Sequence, residues 1–206
     1  MAPHRLNTAR LRAEPLGPAH RDGLVAMLGD SRVGATLGGT ATPDQVEAHL
    51  ALMARHWAKH GFGWYAWLDK DTGTLVARGG PKYAHVAGRD EVEIGWTVVP
   101  ERWRQGLATE LGAASLAVAF GPLGLADVVS FTLPRNHASR RVMEKLGFTY
   151  ECDNDYKGWS HVLYRKRAPG WGTAVLGEAG ARSRSSSRER GHVDTMGSSD
   201  AGRFRR

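Results

Sequence analysis

One cysteine, Cys152, in 206 residues excludes an intramolecular disulfide framework and fits a reducing compartment. No apolar run is long enough to span a bilayer, and the polar, Arg-containing stretch around Met1 lacks the apolar region of a secretory leader. These absences predict a cytoplasmic protein with no membrane contact. The nine histidines show no ligand spacing such as His-Glu-x-x-His, so no metal is expected. Two nucleotide motifs are missing as well. Gly106 is followed by Leu107 and Ala108 where a triphosphate loop needs Lys and Ser or Thr, and there is no two-glycine dinucleotide fingerprint.

What is present is an ordinary soluble composition. A hydrophobic content of 41% supplies one sizeable core, and the length suits one domain with an appendage. The net charge of +7 suits an anionic partner: a nucleotide-like cofactor, an acidic surface or nucleic acid. Part of that charge is concentrated at the end. Residues 169–206 hold seven Arg and no Lys against two Glu and two Asp, and Ala181 to Arg190 has no hydrophobic period. A domain over residues 1–168 and a disordered Arg/Ser/Gly-rich tail over 169–206 are expected. The tail is either a plain solvated segment or an RNA- or ribosome-directed arm.

Periodicity orders the rest. Leu11 to Leu16 reads as a strand and Pro18 to Leu28 as a helix with Leu24, Met27 and Leu28 on one side. Thr42 can cap a second helix, Pro43 to His60, in which Val46, Leu50, Met53 and Trp57 share a face. Trp64 to Leu68 and Thr74 to Arg78 read as strands joined through Asp69 to Gly73. In the next strand Val92, Ile94, Trp96 and Val98 alternate with Glu91, Glu93, Gly95 and Thr97, which predicts one apolar face and one carrying carboxylates. Leu107, Leu111, Ala114 and Val118 form a helical stripe. A strand over Val128 to Leu133, a helix capped by Asn136 and closed by Gly147, and a strand from Trp159 to Arg165 complete an α/β layered domain.

The most informative segment is Pro100 to Thr109, between the strand with Glu93 and the helix beginning at Leu107. Such a turn presents unpaired backbone N–H groups at a helix N-terminus, where the dipole favours negative charge. Gly106 permits close approach of the main chain and Ala108 keeps the space clear. The pattern fits a loop gripping a pyrophosphate by backbone alone, without metal.

With Glu93-Ile94-Gly95-Trp96 before it and Asn136-His137-Ala138-Ser139 and Val142 to Phe148 after it, this segment resembles the GCN5-related N-acetyltransferase (GNAT) superfamily over about Ala9 to Ala168. Pro100, Trp103, Gly106, Ala108, Thr109 and Glu110 match in register the loop of its ribosomal-protein N-terminal acetyltransferase (RimJ/RimL-like) branch. The resemblance implies a mixed, mostly antiparallel sheet flanked by helices, with a V-shaped splay between two strands holding acyl-CoA. It also implies acetyl-CoA as co-substrate and an amine acceptor pocket shaped by the first two helices. A homodimer is common in the branch. Thr97, Val98, Val99, Trp103, Arg104, Gly106, Leu107, Ala108, Thr109, Asn136 and Ser139 are the implied cofactor-binding residues.

Under that resemblance, the proton balance of the reaction assigns roles. An amine must be neutral to attack a thioester, yet Lys titrates near ~10.4 and an α-amino group near ~8. Glu93 is the candidate base, acting directly or through a water, with Glu91 on the same face as a substitute; alternatively Glu93 is a carboxylate merely solvated or paired with an Arg. Backbone N–H groups near Thr97 and Val98 would stabilise charge on the carbonyl oxygen. The tyrosine that many members use as thiolate donor is replaced here by Met143, and Ser139 is the hydroxyl nearest in register. Direct transfer in a ternary complex is expected, since Cys152 has no recognisable His partner. The acceptor is a protein N-terminus, a polyamine or other small amine, or an aminoglycoside, and a silent CoA-binding module is the alternative class. Trp57, Trp64 and Trp67 either line the acceptor pocket or pack in the core.

Overall fold

The computed structural model describes residues 1–156 and 158–170. The expectation of a disordered tail therefore lies, beyond Gly170, outside the described residues. Met1–Pro169 forms one compact unit. Its strands are β1 (Leu6–Asn7), β2 (Leu11–Pro15), β3 (Tyr65–Asp69), β4 (Leu75–Val86), β5 (Arg89–Val98), β6 (Asp127–Thr132), β7 (Thr149–Tyr156) and β8 (Trp159–Arg167). The helices are α1 (Arg21–Gly29), α2 (Ser31–Leu37), α3 (Pro43–His60), α4 (Leu107–Phe120) and α5 (His137–Lys145).

The strands form one sheet in the order β1-β2-β3-β4-β5-β6-β8-β7. Every neighbouring pair is antiparallel except β5 and β6, which are parallel and meet at a single register position, Glu93 opposite Val129. Beyond Glu93 the two strands part, which is the splay implied by the resemblance. One core cluster, including Ile94, Val98, Leu107, Leu111 and Met143, lies between the sheet and α4 and α5. A second joins Leu24, Met27, Val46, Leu50 and Met53 of α1 and α3 to Trp64 and Ala66.

Local chemistry sets the boundaries. Thr42 and Gln45 form a reciprocal capping box at the start of α3, and Gly61 ends the helix in the left-handed conformation at φ 69°. The β3–β4 turn is built on Asp69, whose Oδ1 accepts from the N–H groups of Asp71 and Thr72, both at 3.0 Å.

Two expectations need correction. The strand after the hairpin runs on from Arg78 to Val86, through Gly79, Gly80 and Pro81, a run that reads as a breaker. β3 pairs with β4 only as far as Gly79, so Pro81 stands beyond that ladder, where a missing N–H is tolerated. A Cβ on Gly79 would fall 2.3 Å from the Gly95 carbonyl oxygen, so close backbone approach demands glycine there. Helix α2 and strand β7 were also not foreseen: α2 is short, capped by Asp30, and lies between glycines. The face of β5 expected to carry carboxylates does carry Glu91 and Glu93, and its middle is buried: Glu93, Gly95 and Thr97 are all buried, with the Trp64 ring packed against Gly95.

Candidate active site

The splay opens a cleft of about 540 Å³. One wall is Gly95 to Val98 of β5, the other Ser130 to Thr132 of β6; α4 begins at one end and α5 at the other. The loop entering α4 uses two left-handed residues, Arg104 at φ 63° and Gly106 at φ 80°. For a non-glycine residue that conformation costs about 1–2 kcal/mol, and here it turns the chain so that the helix end faces the cleft. The first helical hydrogen bond belongs to Glu110, whose N–H meets the Gly106 carbonyl at 3.0 Å. The N–H groups of Leu107, Ala108 and Thr109 precede it and have no intrahelical acceptor. All three residues line the cleft, and a Cβ on Gly106 would have nothing nearer than Arg10 Nη2 at 3.6 Å, so the space in front of the glycine is open.

The loop is braced from behind. Arg102 Nη1 donates to Asp69 Oδ2 at 2.7 Å, and this guanidinium holds the Asp69 carboxyl below its usual range. Glu110 accepts from Thr8 Oγ1 at 2.6 Å and from the Arg10 backbone N–H at 2.8 Å, while Arg10 Nη1 donates to the Gln105 carbonyl at 2.7 Å. At the other end Asn136 caps α5, its Oδ1 accepting from the Ser139 N–H at 3.1 Å.

Of the residues expected to bind the cofactor, Thr97, Val98, Trp103, Arg104, Gly106, Leu107, Ala108, Thr109, Asn136 and Ser139 line this one cleft. Val99 does not. Its N–H donates to the Val76 carbonyl at 2.9 Å and its side chain packs between the two core clusters, because pairing with β4 outlasts the strand itself. Sequence reasoning missed Thr36 and Leu37 of α2, the β6 wall from Ser130 to Thr132, and Arg102 and Arg141. Asp30 as a cap and Gly38 as a helix stop were the available pointers to α2.

Glu93 stands at the fork itself. It is 7% exposed and its Oε2 accepts a short hydrogen bond from Lys82 Nζ, its direct register partner on β4. Against the alternative of a solvated or arginine-paired carboxylate, the partner is a lysine. Glu91 is committed elsewhere: Arg165 Nη2 donates to it at 2.7 Å, within a network that also takes in Asp127 and Glu151. On the same face of the β4–β5 pair stand Arg78 opposite Thr97, Gly80 opposite Gly95, and Lys82 opposite Glu93. The glycine pair seats Trp64, since a Cβ on Gly95 would lie 2.8 Å from its ring. Arg78 and Lys82 approach that ring with their cationic groups 4.8 and 5.3 Å from its centroid. Trp57 and Trp67 are core residues, with indole N–H groups satisfied by the carbonyls of Trp64 and Gly79. Met143 is 1% exposed and packs in the core, and Cys152 is half-buried in β7.

A parallel pair that separates at one bridge, with a helix N-terminus at the gap, defines an α/β protein with a cleft between two strands of its sheet. Residues 10–149 match the acetyltransferase (GNAT) domain model, and the chain belongs to that family. It is 34% identical over 152 residues to the FsC-acetyl coenzyme A-N(2)-transacetylase of Aspergillus fumigatus, covering 70% of this chain and 65% of the relative's length. A GnaT-family acetyltransferase structure from Bordetella pertussis is 28% identical, with a TM-score of 0.70 over 80% of this chain and 99% of that one. The RimL ribosomal L7/L12 α-N-protein acetyltransferase in complex with coenzyme A is similar in fold, with a TM-score of 0.65 at 12% identity over 80% and 98% of the two chains.

Proposed function

We propose that this protein transfers an acetyl group from acetyl-CoA directly to a primary amine bound at the same time. The observation that carries the reading is a helix N-terminus with open space before it in the cleft, and a buried carboxylate, Glu93, at the bridge where the fork begins and outside the cleft lining itself. The cleft fits the co-substrate: Leu107, Ala108 and Thr109 would receive its pyrophosphate on their N–H groups, with Arg104 adding positive charge. Asn136 would orient the pantetheine arm, and Trp103 would cover it. The co-substrate supplies the activated acyl carbon.

The residues of this chain then manage protons. Glu93 accepts a proton from the incoming ammonium, directly or through a water, so that the nitrogen lone pair can attack the acyl carbon. The C–N bond forms, the C–S bond breaks, and the nitrogen gives up its second proton to solvent, as Glu93 later gives up the first. Ser139 donates a proton to the departing sulfur and is reprotonated from solvent. Lys82 compensates the buried charge of Glu93 and fixes its carboxylate.

The acceptor side carries two cations, Arg78 and Lys82, against one carboxylate, Glu93. That balance disfavours polyamines and aminoglycosides, whose extra charges would meet like charge. It favours a primary amine without further positive groups, whether a small molecule or a protein N-terminus.

Thiol release from acetyl-CoA, followed against a panel of peptides, polyamines, aminoglycosides and small amines, tests the activity. Glu93→Gln should lower turnover mainly below about pH 8, where an α-amine is protonated. An unchanged pH–rate profile removes Glu93 as the base, and tight CoA binding with no thiol release from any acceptor favours a silent binding module.

A further inference from the structure

Two side chains beside the fork carry hydrogen-bond donors for which no described residue supplies an acceptor. Arg78 is 7% exposed. Its Nε reaches Thr97 Oγ1 only at 3.5 Å, its Nη1 donates to His49 Nε2 at 2.8 Å, and its Nη2 has no acceptor among the described residues. A guanidinium only donates, so that His49 nitrogen is the unprotonated one and contributes no negative charge. No carboxylate pairs with Arg78 among the described residues, and burial lowers its pKa to about 10 against the opposing field of Glu93. Trp64 is 8% exposed, and its Nε1–H is fully buried without a partner. A buried N–H like that of Trp64 is ordinarily matched, and with Arg78 Nη2 free of any described acceptor on a side chain in contact with the ring, the two donors suit one shared acceptor.

Glu93 does not fill that role, because Lys82 engages it. Thr97, which takes the long bond from Arg78, lines the acyl cleft, and so does Gly95, which lies against the Trp64 ring. The unmatched donors therefore stand one side chain behind the cleft wall, on the face that carries Glu93. A planar guanidinium with an indole N–H beside it suits the two oxygens of a carboxylate.

Resting on the transferase reading above, we propose that Arg78 and Trp64 form an anion subsite for the acceptor, binding a carboxylate carried by the same molecule as the amine. The substrate class is then a small amino acid, with its amine delivered toward Glu93 and its carboxylate held by Arg78 Nη2 and Trp64 Nε1.

The test uses the full chain, acetyl-CoA and a series of ω-amino acids with one to five methylenes, each paired with its own amide, plus a tripeptide amide representing a protein N-terminus. At least one acid should exceed its amide by about tenfold or more in kcat/KM. Arg78→Gln should abolish that preference without changing CoA affinity by calorimetry. Trp64→Phe keeps the ring and its two cation contacts and loses only the N–H. It should reduce the preference several-fold, and it carries the test if Arg78→Gln does not fold. A readout independent of turnover is the Trp64 indole 1H–15N resonance, identified by its loss in Trp64→Phe, which should move on adding the acid and not the amide. Acids and amides acetylated equally, or the tripeptide amide preferred to every acid, overturns the subsite and leaves the transferase reading standing. An indole resonance that moves with acids while nothing is acetylated supports the subsite and overturns the transferase reading, and a resonance unmoved by every acid overturns the subsite.

Discussion

Trp103 donates its indole N–H to the Val98 carbonyl at 2.7 Å, so the loop residue that marks the ribosomal-type motif is tied to the last residue of the splayed strand. Its ring remains 39% exposed at the cleft. One side chain thus fixes the loop and lines the cleft. Trp103→Phe, which keeps apolar area and loses the bond, should weaken CoA binding by about five- to tenfold, in line with the loss of one hydrogen bond. Isothermal calorimetry with CoA checks this, and an unchanged affinity would reduce the indole N–H to a bystander.

Asn136 has two roles that substitution can separate. As a cap its Oδ1 accepts from the Ser139 N–H, and as a ligand its amide would also donate to the pantetheine arm. Asn136→Ala should cost about 1 kcal/mol of stability and raise the KM for acetyl-CoA. Asn136→Asp retains the cap and loses the donor, so it should melt like the parent while still raising KM. Equal KM for parent and Asp variant would leave Asn136 a cap alone.

Glu110 joins the start of α4 to the segment before β2. Burial pushes its carboxyl up, but hydrogen bonds from Thr8 and Arg10 outweigh this and hold it below the ordinary value. A carboxyl depressed in the folded state stabilises above its unfolded value and loses that contribution as pH falls through the folded one. Glu110→Gln should therefore destabilise by about 1–3 kcal/mol at neutral pH and by progressively less below about pH 4. Chemical denaturation at a series of pH values measures the difference.

His56 supplies a second acid-sensitive element. Its Nδ1 donates to the Phe62 carbonyl at 2.8 Å and its Nε2 accepts from the Tyr83 N–H at 3.0 Å, which requires the neutral ring. Burial lowers its pKa, aided by His60 and Lys82. The unfolded chain binds this proton more readily, so stability should fall as pH drops below about 6.5. In His56→Gln that segment of the pH dependence of the melting midpoint should flatten, and a parallel curve would assign the acid sensitivity elsewhere.

The sequence was most legible where a local rule had no competitor. Thr42 with Gln45, Gly106 before Leu107 and Asn136 before Ser139 each satisfy backbone groups within a few residues, and each stands where the pattern put it. It was least legible where partners come from far along the chain. Gly79-Gly80-Pro81 reads as an interruption until Gly95 and Trp64 are seen packed against it, and then those glycines become the reason the strand continues. Arg78 and Lys82 carried no motif at all. Their place beside Glu93 depends on the β4–β5 register, which periodicity does not specify.

The lone bridge between Glu93 and Val129 also divides the polypeptide in order. All strands on one side of it precede Gly121 and all strands on the other follow it, so each half of the sheet is a continuous antiparallel piece of chain. A cut in the Gly121 to Gly124 turn would give two fragments that each keep their own strand pairing and meet along the fork, the helices beside it, and the ion pairs of Glu91 with Arg165 and Arg89 with Glu151. Reassembly of those fragments would rebuild both walls of the cleft at once, and recovered acetyl transfer would be a direct measure of their association.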